Sequence, residues 1–150
     1  MRNLSRRLTE AIMKIGGIEG AIDEQISSND TELVLLYALD DGGSHSQREI
    51  SEHWELPRST VNTVIKRWEK EGIVILERIS GKRREMAVRL TEKGEKKAKA
   101  DLAPTYSAED QALKKTIDRY SPQFIEALEY YAEMLKEESD RINGRRVQSQ

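Results

Sequence analysis

Apolar residues recur at every third or fourth position along most of this chain, and that rhythm gives way only where a short β-branched run is followed by an alternating strand. Leu4, Leu8, Ile12, Ile15, Ile18, Ile22 and Ile26 follow the helical spacing and predict a long amphipathic first helix. Gly16, Gly17 and Gly20 lie within it, and each weakens a helix by roughly 1 kcal/mol relative to alanine. A kink, a close helix approach or a break is therefore expected near Gly16-Gly17. Asn29, with Glu32 three positions on, marks the cap of a second helix that runs through Leu33, Leu36 and Leu39 to a stop at Asp40-Asp41-Gly42-Gly43.

A denser set of signals follows. Ser46-Gln47-Arg48-Glu49 is a capping box, preceded by a short strand near His45, and it opens a helix on which Ile50 and Trp54 share a face. Pro57 disfavours a helical residue ahead of it, so Leu56, Pro57 and Arg58 are left as a turn. From Ser59 the apolar positions Val61, Val64, Ile65 and Trp68 form one buried stripe, and both tryptophans, Trp54 and Trp68, are expected as core anchors. Gly72 ends this helix. Ile73-Val74-Ile75-Leu76 then predicts a strand that turns at Ser80-Gly81 and returns as Met86-Ala87-Val88-Arg89-Leu90, with Met86, Val88 and Leu90 inward and Ala87 and Arg89 outward.

Thr91 caps a charged helix from Glu92 to about Leu102. Pro104 should kink or break it before a continuation through Leu113 and Ile117. A last helix opens at Ser121-Pro122 with the stripe Ile125, Leu128, Ala132, Leu135 and Ile142, widened by Tyr130, Tyr131 and Met134. Spacing alone leaves two readings of that stripe open, packing within one chain or a seam between two. The fold class expected is mainly α with a small β-hairpin wing.

The polar positions give the chemistry. Ser59, Asn62, Thr63, Lys66 and Lys70 fall opposite the buried stripe, with Arg58 and Arg67 flanking them. Hydroxyls and amides match base-edge donors and acceptors, while cations hold phosphates, so this mixture suits a helix lying in a DNA groove. Gln47, at the start of the preceding helix, is placed to reach a phosphate, and Lys82, Arg83 and Arg84 make the hairpin tip cationic. Between Arg58 and Arg84 there are eight cations and three anions, a local excess of five positive charges. The rest of the chain must carry a net −7 against the overall −2. That segregation presents one face to phosphates.

Other classes find little support. Two histidines without metal-ligand spacing, no nucleophile motif and no phosphate-cradling glycine loop argue against an enzyme, and no cofactor or metal is expected. With no cysteines, disulfides and thiol redox sensing are excluded. No apolar run approaches the roughly 20 residues that span a bilayer, and no secretion signal is apparent, so a cytoplasmic location is expected.

The stretch from Ser46 to Gly94 resembles the winged helix-turn-helix of the multiple-antibiotic-resistance regulator (MarR) family. The resemblance rests on Gln47 to Lys66, the turn at Leu56-Pro57-Arg58-Ser59-Thr60-Val61, Glu71-Gly72-Ile73-Val74 entering the hairpin, and Arg89-Leu90-Thr91-Glu92-Lys93-Gly94 leaving it. It implies a homodimeric regulator of pseudo-palindromic operators, commonly a repressor released by a small phenolic or lipophilic effector. It also implies that Thr60 joins Gln47, Arg58, Ser59, Asn62, Thr63, Lys66, Arg67 and Lys70 at the DNA, that a wing arginine, Arg83 or Arg84, enters the minor groove, and that Leu4, Leu8, Ile125, Leu128, Ala132, Leu135 and Ile142 serve dimerisation. Two positions depart from the family pattern: Lys82 stands where an Asp usually orients the wing arginine, and Pro57 stands where a serine often caps the recognition helix. One domain over 1–150 is expected, with 1–28 and 104–142 as helical dimerisation regions, 29–103 as the winged helix-turn-helix and 143–150 as a frayed tail. The partners implied are double-stranded DNA, a second copy of the chain and an effector whose site the spacing does not assign. The competing reading is a winged-helix adaptor or antirepressor that binds a protein instead of DNA.

Overall fold

Two reciprocal caps frame the first half of the molecule. In this computed structural model, which describes residues 1–23, 28–78 and 86–147, Asn29 accepts the Glu32 amide at 3.0 Å while the Glu32 carboxylate accepts the Asn29 amide at 3.1 Å. Ser46 and Glu49 repeat the exchange at 3.1 and 2.7 Å. Each pair satisfies backbone donors that a helix start leaves unpaired. The elements are α1 (Arg2–Asp23), α2 (Asp30–Leu39), β1 (His45–Ser46), α3 (Gln47–His53), α4 (Arg58–Glu71), β2 (Val74–Arg78), β3 (Met86–Leu90), α5 (Glu92–Tyr120) and α6 (Gln123–Val147). The chain divides into two compact units, Met1–Ser107 and Ala108–Gln150.

In the first unit, the core collects Leu35, Leu36 and Leu39 of α2, Ile50 of α3, Val61, Ile65 and Trp68 of α4, Val74 and Val88 of the sheet, and Ala98 and Leu102 of α5. Each large side chain gains roughly 1.5–3 kcal/mol on leaving water. The antiparallel sheet has the order β1-β3-β2, and Val74 to Arg78 face Leu90 to Met86 in register. Gly72 adopts φ +70° at the end of α4, a left-handed conformation that costs glycine nothing, and swings the chain into β2. Lys93 of α5 donates to the last-turn carbonyl of Glu71 at 2.7 Å. Below, Lys97 and Asp101 pair at 2.6 Å and both bond the buried Ser28 hydroxyl, tying the entry to α2 onto α5.

Several expectations need correction. Trp68 is buried, but Trp54 is 39% exposed. The α3 helix ends at His53, so Trp54 serves as its C-cap, bonding the Ile50 carbonyl, and its ring lies 6.5 Å from that of Tyr37. Ala87 is buried rather than outward, because β1 pairs along β3 and sets Ser46 opposite it. The α1 helix runs unbroken through Gly16 and Gly17, and among the described residues nothing lies within 4 Å of a Cβ built on either. Pro104 does not end α5 either: buried Leu102 and Thr105 flank it, and their packing outweighs the one helical hydrogen bond that proline removes.

No α1 residue is buried, and Leu4, Ile12, Met13, Ile15 and Ile18 are exposed, with Leu8 half-buried. Ile26 lies outside the described residues. In the second unit, Ser121 has φ +78° and accepts the Gln123 amide at 3.3 Å, so Pro122 stands just before α6 rather than at its first position. Along α6, Leu128, Ala132, Leu135 and Ile142 are exposed and Ile125 is half-buried. The helix runs to Val147, into the segment expected to fray. No helix among the described residues is long and apolar enough to cross a membrane.

Candidate nucleic-acid interface

The spacing that buries one side of α4 displays the other. Val61, Val64, Ile65 and Trp68 are buried, whereas Ser59, Thr63, Lys66 and Lys70 are exposed, Asn62 is half-buried and Thr60 is half-buried beside it. The start of α4 has no side-chain cap, as Pro57 offers none. Instead the Pro57 carbonyl accepts the Thr60 and Val61 amides at 2.9 and 3.1 Å, and Ser59 takes no capping role. The Ser59 side chain is therefore left on the outward face. Thr63 donates its hydroxyl to the Ser59 carbonyl at 2.8 Å, so toward a base it presents its methyl and its oxygen lone pairs.

Gln47 and Arg48 from the start of α3, with Arg58, Ser59 and Asn62 from the start of α4, line one hollow of about 420 Å³. Four of the sequence-predicted contacts thus converge. Arg48 was not foreseen there, and neither was the part played by Glu52, which lies outside the hollow's lining and whose Oε1 accepts Arg48 Nε at 2.9 Å and Arg58 Nη2 at 3.0 Å. Arg48's hydrogen bond, aided by Arg58, holds the Glu52 carboxyl below the usual carboxylate range. The spacing of Arg48 and Glu52, four apart on a helix, was the available signal for half of this arrangement. Arg58 reaches it only through the turn.

Arg67 differs from the other predicted phosphate contacts. It is engaged by Glu32 of α2 and, at 3.7 Å, by Glu71, so in this structure its guanidinium links helices. Among the described residues Lys66 and Lys70 form no ion pair, which leaves both ammonium groups to solvent. The wing strands are described, with Arg89 bonded to Glu77 across them at 2.8 Å. Lys82, Arg83 and Arg84 lie outside the described residues. Among the described residues there is no group of three or more metal-ligating side chains.

A capped helix, a tight turn, a second helix with a polar outer face and an antiparallel hairpin define a winged helix-turn-helix protein. Residues 29–85 match the family model described as MarR family. Those residues are similar to the winged helix-turn-helix of the MarR family, and the fold of the whole chain is like that of solved MarR family regulators. A MarR family regulator from Neisseria meningitidis is 25% identical, with 94% of this chain and 99% of that chain covered and a TM-score of 0.67. NadR in complex with 4-hydroxyphenylacetate is 17% identical over 85% of this chain and 88% of its own, with a TM-score of 0.68. Overoxidized AbfR bound to DNA is 19% identical over 89% and 94%, with a TM-score of 0.60. At their identities the last two speak for the fold. A comparison with curated proteins finds no match. The general function that accompanies the family match is DNA-binding transcriptional regulation.

Proposed function

We propose that this chain is a homodimeric repressor of pseudo-palindromic operators, released by a small lipophilic or aromatic effector. The observation that carries this reading is the row of Ser59, Asn62, Thr63, Lys66 and Lys70 along the outward side of α4, with Gln47 and Arg58 at its leading end. Ser59, Asn62, Thr63 and Lys66 meet base edges in the major groove, with Thr60 beside them. Arg58, Arg67 and Lys70 hold backbone phosphates, and Lys82, Arg83 and Arg84 bring the wing to the minor groove. Arg67 must exchange its carboxylate partners for phosphate to do so.

Duplication is supported by the apolar side chains that a single chain leaves in water on α1 and α6, more than isolated surface residues account for. A two-fold axis then places two reading helices roughly 34–36 Å apart, one turn of duplex DNA. For the effector, the support is a pair of hollows of about 480 and 680 Å³, within the range that holds small molecules. Tyr106 lines one and Tyr37 the other, and their rings meet edge to face at 4.9 Å. NadR was solved with an aromatic acid bound.

Selection of bound sequences from random duplex DNA, repeated at two salt concentrations, tests the reading. A palindromic consensus with steeply salt-dependent affinity is expected. Absence of binding even at low salt would overturn it in favour of a protein-interaction adaptor.

A further inference from the structure

A carboxylate on a surface that meets phosphates weakens binding by simple repulsion, so Glu52 calls for an explanation. It is 53% exposed, and its partners Arg48 and Arg58 are 66% and 67% exposed. Ion pairs so open to water add little to fold stability. Nor does Glu52 line the hollow between α3 and α4. The two arginines do, in company with Gln47, Ser59 and Asn62, and one oxygen of Glu52 holds both guanidiniums.

Two cations and one anion leave this cluster with a single net positive charge. An unrestrained arginine pair would grip phosphates more strongly but in many geometries, because each long side chain has many rotamers and phosphates recur all along the duplex. Two guanidiniums fixed on one oxygen accept a phosphate in few geometries. Fixed phosphate contacts set the register in which α4 meets the bases. A restraint of this kind lowers affinity for arbitrary DNA and keeps it for DNA in which base and phosphate contacts coincide.

We propose that Glu52 is a positioning residue, which holds Arg48 and Arg58 around this hollow so that one backbone phosphate seats there in a single register. The assignment rests on the DNA-reading role proposed above and adds to it a residue that sharpens specificity at the expense of affinity.

The test compares the full-length chain with E52Q, E52D and E69Q, the last removing an exposed carboxylate of α4 that forms no ion pair among the described residues. Affinities are measured for a duplex chosen by selection and for a scrambled duplex. Both Gln variants raise affinity for scrambled DNA, since each removes one negative charge. Only E52Q lowers the ratio of selected to scrambled affinity, by about tenfold, the effect of one mismatched position. E52D, which keeps the charge on a shorter arm, recovers part of that ratio. Thermal unfolding of E52Q stays near that of the parent, which separates positioning from folding. An E52Q ratio within about twofold of the parent, or an equal fall in E69Q, overturns this assignment while leaving the DNA-reading role intact. A parent chain without sequence preference overturns both.

Discussion

Gly94 rests directly on the carbonyl of Ile73: a Cβ built on the glycine would lie 2.1 Å from that oxygen and 3.0 Å from Leu90 Cδ2. The contact seats the first turn of α5 on the point where the chain enters the wing. Thr91 completes the joint, accepting the Gly94 amide at 3.1 Å and donating its hydroxyl to the Gly72 carbonyl at 2.6 Å. G94A should destabilise the protein by about 3 kcal/mol or more, because the obstacle is backbone and cannot swing aside. Alanine in an unobstructed helix would stabilise by about 1 kcal/mol instead, so urea denaturation reads the sign directly.

Asp41 and His45 form a local pair that gives the stability a defined pH dependence. The Asp41 carboxylate meets His45 Nε2 at 2.9 and 3.0 Å and accepts the Gly43 amide at 2.8 Å. The His45 hydrogen bond first, and the Gly43 amide second, hold the Asp41 carboxyl below its ordinary value. A carboxyl depressed by folding stabilises the protein at pH above its unfolded value and loses that contribution as pH falls through the folded one. Asp41 is 57% exposed, so solvent screens the effect and keeps it small. D41N should therefore melt slightly below the parent at pH 6, with the gap closing below about pH 4. A gap that persisted unchanged to pH 2 would show that the carboxylate's charge is not what stabilises this loop.

Much of this architecture was legible because its signals are local. Asn29-Glu32 and Ser46-Glu49 cap as their spacing requires, Gly72 turns where it should, and the Val61 to Trp68 stripe is buried. What escaped depends on partners distant in sequence. Trp54 has the spacing of a core residue, but α3 stops one position earlier and leaves the ring at the edge of the core. Ala87 alternates outward in β3 until β1 covers it. Arg58 and Arg67 look like equivalent cations on a helix, yet Glu52 and Glu32 claim them from other elements. The outward row of α4 was readable because it is what remains when one stripe is buried. Its arginines were not, because their reach lets distant carboxylates decide where they point.

Base reading and phosphate gripping separate by their salt dependence. If Asn62 and Lys66 read base edges as proposed, N62A and K66A should each cost about 1–3 kcal/mol on the selected operator and relax preference at one position per half-site. Lys70, at the far end of α4, is the proposed phosphate contact. K70A should weaken binding to selected and scrambled duplexes alike and reduce the slope of log affinity against log salt by about one. Binding isotherms at four salt concentrations distinguish the two. If K70A alone changed the preferred sequence, the assigned roles would have to be exchanged.

The apolar row on α6 bears on assembly. Leu128 and Leu135 are 43% and 55% exposed, and neither lies at a chain end where fraying would make exposure harmless. If a second copy covers them, a charge introduced there is buried without a partner, and such a substitution commonly costs several kcal/mol at an interface. L135E should then lower the sedimentation coefficient to that of a single chain at micromolar concentration. It should leave the helical circular dichroism of the winged region largely intact, since the buried core of the first unit contains no α6 residue. Operator affinity should fall much further than affinity for a single half-site, because what is lost is the tethering of one reading helix to the other. A variant that stayed dimeric, or a parent chain already monomeric at these concentrations, would place the dimer contact elsewhere or remove it.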